Sequence, residues 1–246
     1  MTLIYENICR EFAFDKLVQE FDSSYKVKDW DSEVPQEGFF LGSIEGCNWL
    51  RQNRPNVKHC STFENYTCAA YYPKMQELLF NDRYAFIPFA ELARRKWDIY
   101  AWLGKEALVF IRPCSGEKDF PAELVDLKDI DKLVENYNYE GMAVVSTPKN
   151  FIGEWRFVVT ESEIIAQSSY KYQGVLTCVP SAPVGATELV KRVLDKGYFP
   201  DKLFCVDVAQ DMNNQFWVME LTSFSSAGLY ACDVKKIAEA IKNEYP

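Results

Sequence analysis

The sequence has a single histidine, His59, and this scarcity excludes several kinds of active site. Zinc sites with several histidines, iron sites with two histidines and proteases with an HExxH motif all need more imidazoles. A Ser-His-Asp or Cys-His arrangement would have to use His59, which lies in a polar stretch without a nucleophile-elbow motif. We therefore expect His59 to be a surface or capping residue.

Long apolar runs and paired cysteines are also missing. No apolar stretch approaches the roughly 20 residues of a membrane-spanning helix, and the start, MTLIYENICREF, has no signal-peptide pattern. The eight cysteines stand singly, without a CxxC pair. These features predict a cytoplasmic protein with reduced thiols, most of them small core residues. The cysteines are Cys9, Cys47, Cys60, Cys68, Cys114, Cys178, Cys205 and Cys232.

Basic residues are outnumbered, with 27 lysines and arginines against 36 aspartates and glutamates and a net charge of −9. An acidic surface repels phosphate backbones, so we expect no general binding to nucleic acid or anionic membranes. The 246 residues are 48% hydrophobic and 15% aromatic, which is enough for a sizeable core and excludes wholesale disorder.

Strand-like and helix-like stretches alternate along the chain, which predicts an α/β or α+β protein. The clearer stretches are a helix over 89–103, strands over 107–111, 142–145, 154–160 and 163–170, a helix capped by Thr187 and ended by Gly197, and a hairpin of strands 203–209 and 215–222.

Each strand of that hairpin carries one acid in an apolar run, Asp207 in the first and Glu220 in the second. Because side chains alternate faces along a strand, an even loop puts both carboxylates on one face, and an odd loop separates them. A two-residue loop at Asn213-Asn214 would put the two Cβ atoms about 5 Å apart. Two close carboxylates need compensation, either from a divalent cation such as Mg²⁺ or from a lysine at the sheet edge.

Candidate anion ligands lie in two other segments. Arg112 ends the strand over 107–111, and Pro113 and the small residues Ser115 and Gly116 lead to Lys118. Backbone N–H groups of small residues can approach a phosphate, although an exposed turn has the same composition. In the strand over 154–160, Arg156 shares a face with Glu154, so it is either that residue's ion-pair partner or a phosphate ligand.

Together these motifs resemble the ATP-grasp superfamily over roughly residues 106–232. The resemblance is nearest to a clade of short phage and bacterial proteins with arginine at the first phosphate-binding position, here Arg112. The ending Glu220-Leu221-Thr222 resembles the family's E-x-N motif, with Thr222 where asparagine is usual. A hydroxyl is a poorer Mg²⁺ ligand than an amide carbonyl.

The resemblance implies an α+β ATP-grasp fold, in which two subdomains clamp ATP, after a small α/β domain. The corresponding boundaries are 1–80 for the preceding domain, 81–145 for the N-terminal subdomain and 146–246 for the C-terminal subdomain. It also implies the roles of the site residues. Phosphate and nucleotide ligands would be Arg112, Ser115, Lys118, Glu154 and Arg156, adenine would meet Val145, Ser146 and Thr147, and Mg²⁺ would bind Asp207, Glu220 and Thr222.

The activity implied is that of an ATP- and Mg²⁺-dependent carboxylate–amine ligase of the peptide type, which forms a C–N bond through an acylphosphate. Arg156 and Lys171 are the candidate catalytic residues, with a solvated strand end as the alternative for Lys171. The substrates would be small-molecule or peptide carboxylates and amines. Two alternatives stay open: a non-catalytic ATP-binding assembly chaperone like the cell-division-cycle ATP-grasp protein, and an α/β protein in which Asp207 and Glu220 are structural.

Overall fold

The computed structural model describes residues 1–6 and 12–246, which form two compact units. Unit 1 joins Met1–Thr62 to Phe151–Pro246, and unit 2 is Phe63–Asn150. Cys9, one of the thiols that we expect to be reduced, lies outside the described residues. The division into 1–80, 81–145 and 146–246 stays a prediction.

Strands and helices alternate along the described residues, as the sequence pattern predicts. The strands are β1 (Thr2–Tyr5), β2 (Ser23–Lys26), β3 (Gly38–Leu41), β4 (Val57–Lys58), β5 (Tyr84–Pro88), β6 (Leu108–Pro113), β7 (Glu123–Asp126), β8 (Met142–Ser146), β9 (Phe151–Thr160), β10 (Ile164–Tyr172), β11 (Val175–Leu176), β12 (Leu203–Asp211) and β13 (Phe216–Ser223). The helices are α1 (Phe12–Gln19), α2 (Ile44–Asn53), α3 (Cys68–Met75), α4 (Leu92–Leu103), α5 (Ile130–Asn136), α6 (Val184–Asp195) and α7 (Val234–Glu244). None of these helices has both the length and the hydropathy that crossing a bilayer requires.

Unit 1 contains two sheets that share one apolar core. The first is parallel, in the order β2-β1-β3-β4, and the second is antiparallel, in the order β11-β10-β9-β12-β13. Leu3 and Phe39 of the parallel sheet pack in the same cluster as Val158 and Cys205 of the antiparallel sheet and Ile237 of α7. Burial of this shared apolar surface is the main force that holds the two sheets together.

The central strands β9 and β12 are buried over most of their length, because each has a neighbouring strand on both sides. Their sequences are correspondingly near-continuous apolar runs, in which a charged side chain is conspicuous. Asp207 and Arg156 are such exceptions, with only 3% and 7% of their surface exposed. The fold therefore keeps two opposite charges in the middle of an apolar sheet.

Unit 2 is a four-stranded antiparallel sheet, in the order β5-β8-β6-β7, with α4 and α5 packed in its core cluster. The predicted helix over 89–103 is confirmed, with a 3₁₀ turn at Phe89–Glu91 before α4 begins. Tyr71 and Tyr72 are fully buried in this unit.

The start of α6 differs from the prediction. The helix begins at Val184, directly after Pro183, so Thr187 lies in the first turn and its hydroxyl donates to the Pro183 carbonyl oxygen. The predicted end is confirmed: Gly197 has a φ of 66°, and its N–H donates to the Leu194 carbonyl oxygen. A glycine here adopts the left-handed conformation without the steric cost of a Cβ.

The loop between β12 and β13 has an odd length. The Asp211 N–H donates to the Gln215 carbonyl oxygen at 2.9 Å, which encloses residues 212–214. Asn214 has a φ of 61°, the left-handed conformation that three-residue hairpin loops use at this position. By itself this loop would place Asp207 and Glu220 on opposite faces of the sheet.

A β-bulge restores the pairing of the two acids. Val208 pairs with Val218, but Asp207 pairs with Glu220, so Met219 is an extra residue on β13. One extra residue shifts every later side chain of the strand to the other face. The odd loop and the one-residue bulge therefore cancel, and the two carboxylates share a face.

Candidate functional site

Asp207 and Glu220 form the carboxylate pair of unit 1. They are direct cross-strand partners on β12 and β13, so their side chains leave the same face. Asp207 is buried and Glu220 is half-buried. Thr222 follows two positions after Glu220, on the same face, and is buried opposite Cys205.

Arg156 continues this row on β9, directly opposite Asp207. Its Nε and Nη2 donate to the two Asp207 carboxylate oxygens at 2.8 and 2.7 Å, and its Nη1 donates to the Gly228 carbonyl oxygen at 3.0 Å. Burial alone would lower the pKa of the guanidinium, but the charge and hydrogen bonds of Asp207 hold that pKa well above its usual range. The partner of Arg156 is thus Asp207 on the neighbouring strand, not Glu154 on its own strand.

Two stacked tyrosines stand beside this ion pair. The rings of Tyr170 and Tyr230 are 4.8 Å apart and nearly parallel, and the Arg156 guanidinium lies 5.9 and 5.2 Å from their centres. A guanidinium over an aromatic face is favoured electrostatically. Tyr230 is missing from the predicted site because it reaches Arg156 through a non-local contact that no spacing in the sequence indicates.

Glu154 binds two side chains of β10. The Tyr170 hydroxyl donates to one carboxylate oxygen, and Lys171 Nζ lies 3.6 Å from the other. Burial and the negative charges of Asp207 and Glu154 raise the pKa of Tyr170, so its hydroxyl stays a donor. The Lys171 side chain is 45% exposed, and its ammonium lies 5.8 Å from the centre of the Phe151 ring. Lys171 is thus half-solvated and tied to a buried carboxylate.

The predicted phosphate ligands lie in unit 2. Arg112 is buried near the end of β6, opposite Val144 of the central strand β8. The loop that follows is locally ordered, since the Ser115 hydroxyl accepts a hydrogen bond from the Glu117 N–H at 2.9 Å. Lys118 is exposed and has a φ of 59°. The loop therefore presents a cation to solvent, close in sequence to a buried arginine.

The predicted adenine strand is the central strand β8. Its residues Val145 and Ser146 pair on one side with β5 and on the other with β6. The Ser146 hydroxyl donates to Asn81 Oδ1, and Asn81 Nδ2 donates to the Tyr72 hydroxyl, both at 3.1 Å. Thr147 lies just beyond the strand, and its buried Oγ1 has no hydrogen-bond partner among the described residues. That hydroxyl is a polar group available to a ligand.

The donor chemistry of the carboxylate pair suits Mg²⁺. Among the described residues there is no cluster of three or more histidine, cysteine, aspartate or glutamate side chains that would hold a metal by itself. Mg²⁺ does not require one, because it is usually bound by one or two carboxylates together with substrate phosphates and water. Asp207 and Glu220 supply the carboxylates, and Thr222 adds a hydroxyl on the same face.

His59 belongs to a separate cluster in unit 1. The ring is half-buried, and its Nδ1 lies 2.5 Å from the Ser61 hydroxyl oxygen. Burial and the nearby charge of Arg51 lower the pKa of His59 to about 4, so the ring is neutral at pH 7. His59 is neither the fully exposed residue nor the cap that we expect from the sequence.

Two cavities open on unit 1. The larger, about 800 Å³, runs along Ser162–Gln167 and is flanked by Lys191 and Lys236. The other, about 670 Å³, is lined by Tyr230 with Lys16 and Lys235. The second cavity is the relevant one here, because Tyr230 also contacts Arg156.

Comparison with solved structures identifies the fold. A RimK domain ATP-grasp protein from Sphaerobacter thermophilus is 13% identical, with 98% of this chain and 100% of that chain covered and a TM-score of 0.66. D-alanyl-alanine synthetase A from Vibrio cholerae is 10% identical, with 99% and 98% covered and a TM-score of 0.63. The ATP-grasp ligase PsnB, complexed with minimal precursor, Mg and ADP, is 9% identical, with 99% and 96% covered and a TM-score of 0.57. The chain thus has the ATP-grasp fold that the sequence predicts.

Sequence comparison identifies the family. No curated protein matches the chain in sequence. A family model for an ATP-grasp domain, the second family of its clade, matches residues 92–240, more than half of the chain. The protein therefore belongs to this family of the ATP-grasp superfamily.

Proposed function

We propose that the protein is an ATP- and Mg²⁺-dependent ligase that joins a carboxylate to an amine through an acylphosphate. The single observation that carries this proposal is the cross-strand row of Arg156, Asp207 and Glu220. It combines two Mg²⁺-type ligands with a cation that suits a phosphoryl group. The similarity to a ligase complexed with Mg and ADP supports the same assignment.

The proposed reaction has two steps. An oxygen of the substrate carboxylate attacks the γ-phosphorus of ATP, and ADP leaves with the bond electrons. The amine nitrogen then attacks the acyl carbon, phosphate leaves, and the nitrogen loses a proton as the C–N bond forms. When bound at Asp207 and Glu220, Mg²⁺ would neutralise phosphate charge. Neither step needs a histidine, since positioning and electrostatic stabilisation dominate phosphoryl transfer.

Arg156 is the residue that we propose for stabilising the transferred phosphoryl group and the oxyanion formed on the acyl carbon. The guanidinium is fixed by Asp207, by the Gly228 carbonyl and by Tyr230, so little reorganisation is needed when charge develops near it. Each carboxylate oxygen of Asp207 keeps a further lone pair after accepting from Arg156. Asp207 can therefore hold Arg156 and bind a cation at the same time.

Unit 2 would supply the remaining nucleotide contacts. We propose Arg112, Ser115 and Lys118 as phosphate ligands, and Val145, Ser146 and Thr147 as the adenine-contacting segment. The exposed ammonium of Lys118 and the partnerless hydroxyl of Thr147 support these roles. On unit 1, we propose Glu154 as a further nucleotide ligand and Lys171 as a group that contacts the substrate.

The carboxylate and amine would be small molecules or peptides. The cavity beside Tyr230 is a candidate entrance, since its lysines, Lys16 and Lys235, favour an anionic group. Tyr230 connects this cavity to Arg156, where the acyl group would react.

The test is calorimetric titration of a non-hydrolysable ATP analogue, with Mg²⁺ and then with EDTA. We expect binding that requires Mg²⁺ and is abolished by Glu220→Gln. Glu188→Gln is the matched control, because Glu188 is a glutamate on α6, away from the carboxylate pair. Full Mg²⁺-dependent binding by Glu220→Gln would return the carboxylate pair to a structural role.

A second readout separates turnover from binding alone. With ATP, amino acids and peptides present, a ligase releases ADP in proportion to the C–N bond formed. Tight Mg²⁺-dependent binding without ADP release from any carboxylate–amine mixture would favour the assembly-chaperone alternative.

A further inference from the structure

Two cysteines meet in unit 2 at the start of α3. Cys68 is the first residue of this helix, and Cys114 directly follows β6. The Cys68 N–H donates to the Cys114 carbonyl oxygen at 2.8 Å. The next amide of the helix, that of Ala69, donates to Cys114 Sγ at 3.3 Å.

The backbone geometry suits a disulfide between these two residues. One backbone hydrogen bond from Cys68 to Cys114 brings the Cα atoms to about the separation that a disulfide spans, roughly 4.4–6.8 Å. Both thiols are free in the structure. The pair is thus reduced and already close enough to react.

The surroundings of Cys114 favour its thiolate. The Cys68 thiol, the amides of Ala69 and Cys68 and the charge of Arg112 lower the pKa of Cys114 to about 6, although burial acts against them. The thiolate is the reactive form of cysteine, and the start of a helix stabilises negative charge. Most Cys114 side chains are therefore ionised at pH 7.

Other buried cysteines of the chain have the opposite character. Burial raises the pKa of Cys47 to about 12 and that of Cys60 well above its usual range. These thiols stay protonated and behave as small apolar residues. The contrast marks the Cys68–Cys114 pair as chemically distinct from such core cysteines.

We propose that Cys114 is an oxidation site and that Cys68 is its resolving cysteine. The Cys114 sulfur attacks one oxygen of a hydroperoxide, the O–O bond breaks, and Cys114 becomes a sulfenic acid as one water or alcohol leaves. The Cys68 sulfur then attacks the Cys114 sulfur, and the sulfenic oxygen leaves as water. Two thiols lose two electrons in total, and the peroxide is reduced.

The disulfide would join the start of α3 to the residue between Pro113 and Ser115. Because Cys114 is only 6% exposed, the oxidant has to be small. This inference does not depend on ligase activity, since its readout is a covalent bond.

The first test is to treat the reduced full-length protein with sub-stoichiometric hydrogen peroxide, block free thiols and map the peptides by mass spectrometry. We expect a linked pair of peptides containing Cys68 and Cys114, lighter by two hydrogens than their reduced sum. Cys68→Ser should instead leave a sulfenic acid on Cys114 that dimedone traps. Cys178→Ser is the control, since Cys178 is exposed and should not affect the link.

Preferential oxidation of Cys178, or a disulfide that includes Cys9, would overturn the proposal. A second test follows the alkylation rate by iodoacetamide against pH in the unoxidised protein. The rate at Cys114 should level off above about pH 7, whereas the rate at Cys178 should still rise at pH 8. Parallel profiles for the two cysteines would show that Cys114 is not activated.

Discussion

At the scale of single residues, the ion pair of Arg156 and Asp207 changes how the site should be probed. Each side chain is the buried partner of the other, with 8% and 5% of its side chain exposed. Removing one member leaves a buried charge uncompensated, which typically costs about 3–5 kcal/mol. An Asp207 variant therefore alters stability as well as ligand binding, and Glu220 is the better probe of binding alone.

We predict that Asp207→Asn lowers the free energy of unfolding by about 3 kcal/mol, since asparagine keeps the shape but loses the charge. Urea unfolding measures this change. Asp129→Asn is the control, because the pair of Asp129 with Lys132 is exposed and should contribute less than about 1 kcal/mol. Equal effects of the two substitutions would mean that the buried pair contributes no more than a surface pair.

His59 makes a prediction for the pH dependence of stability. Its pKa is about 4 in the folded protein and near 6.5 in an unfolded chain. Between these values the unfolded chain binds a proton that the folded protein does not, so stability falls as the pH drops from about 6.5 to about 4. Unfolding of the wild type and His59→Gln at pH 7 and pH 4.5 should show a smaller acid-induced loss in the variant. An unchanged loss would show that His59 is not protected from protonation.

Single residues also show where sequence reasoning stops. Asp207 and Glu220 are recognisable because each interrupts an apolar strand of one local hairpin. The partner of Arg156 is not, because the choice between Glu154 and Asp207 depends on the pairing of β9 with β12, two strands far apart in the sequence. Tyr230 is hidden for the same reason. Local patterns carry local pairs, whereas contacts between distant strands need the tertiary structure.

At the scale of elements, the hairpin of β12 and β13 was predictable in kind and outcome but not in detail. The strands and the shared face of the two acids follow from alternation, yet the loop is odd and a bulge at Met219 compensates for it. Nothing in Val218-Met219-Glu220 announces a bulge, because any residue can occupy the extra position. Similarly, α6 begins at Val184 because Pro183 ends the preceding extended segment, a signal that outweighs Thr187.

The loop after β6 depends on the small size of Gly116. A Cβ added there would lie 2.7 Å from the Phe63 carbonyl oxygen and 2.8 Å from Tyr66 Cβ. We predict that Gly116→Ala displaces the loop, lowers the free energy of unfolding by about 1–3 kcal/mol and weakens ATP binding. Urea unfolding and calorimetry measure the two effects. Gly174→Ala is the control for ATP binding, since no atom lies within 4 Å of that Cβ, and it should leave the Kd unchanged.

At the scale of the whole molecule, the net charge of −9 opposes the approach of ATP, so binding has to rest on a few placed cations. The proposed ligands divide between the units, with Lys118 in unit 2 and Glu220 in unit 1. If one nucleotide uses both, each single substitution should weaken the same binding event. Their effects on Mg²⁺-dependent binding then report whether the chain acts as one ATP-binding protein.

We predict that Lys118→Ala raises the Kd for the Mg²⁺ complex of the ATP analogue about tenfold, because a charged hydrogen bond contributes about 1.5 kcal/mol. Lys128→Ala is the control, since Lys128 is another exposed lysine of the same unit and pairs with Asp126. The substitution at position 118 should keep the Mg²⁺ requirement, whereas Glu220→Gln should remove binding itself. A Kd unchanged by Lys118→Ala would remove this lysine from the phosphate ligands. If Arg112→Lys also left the Kd unchanged, the nucleotide would depend on the residues of unit 1 alone.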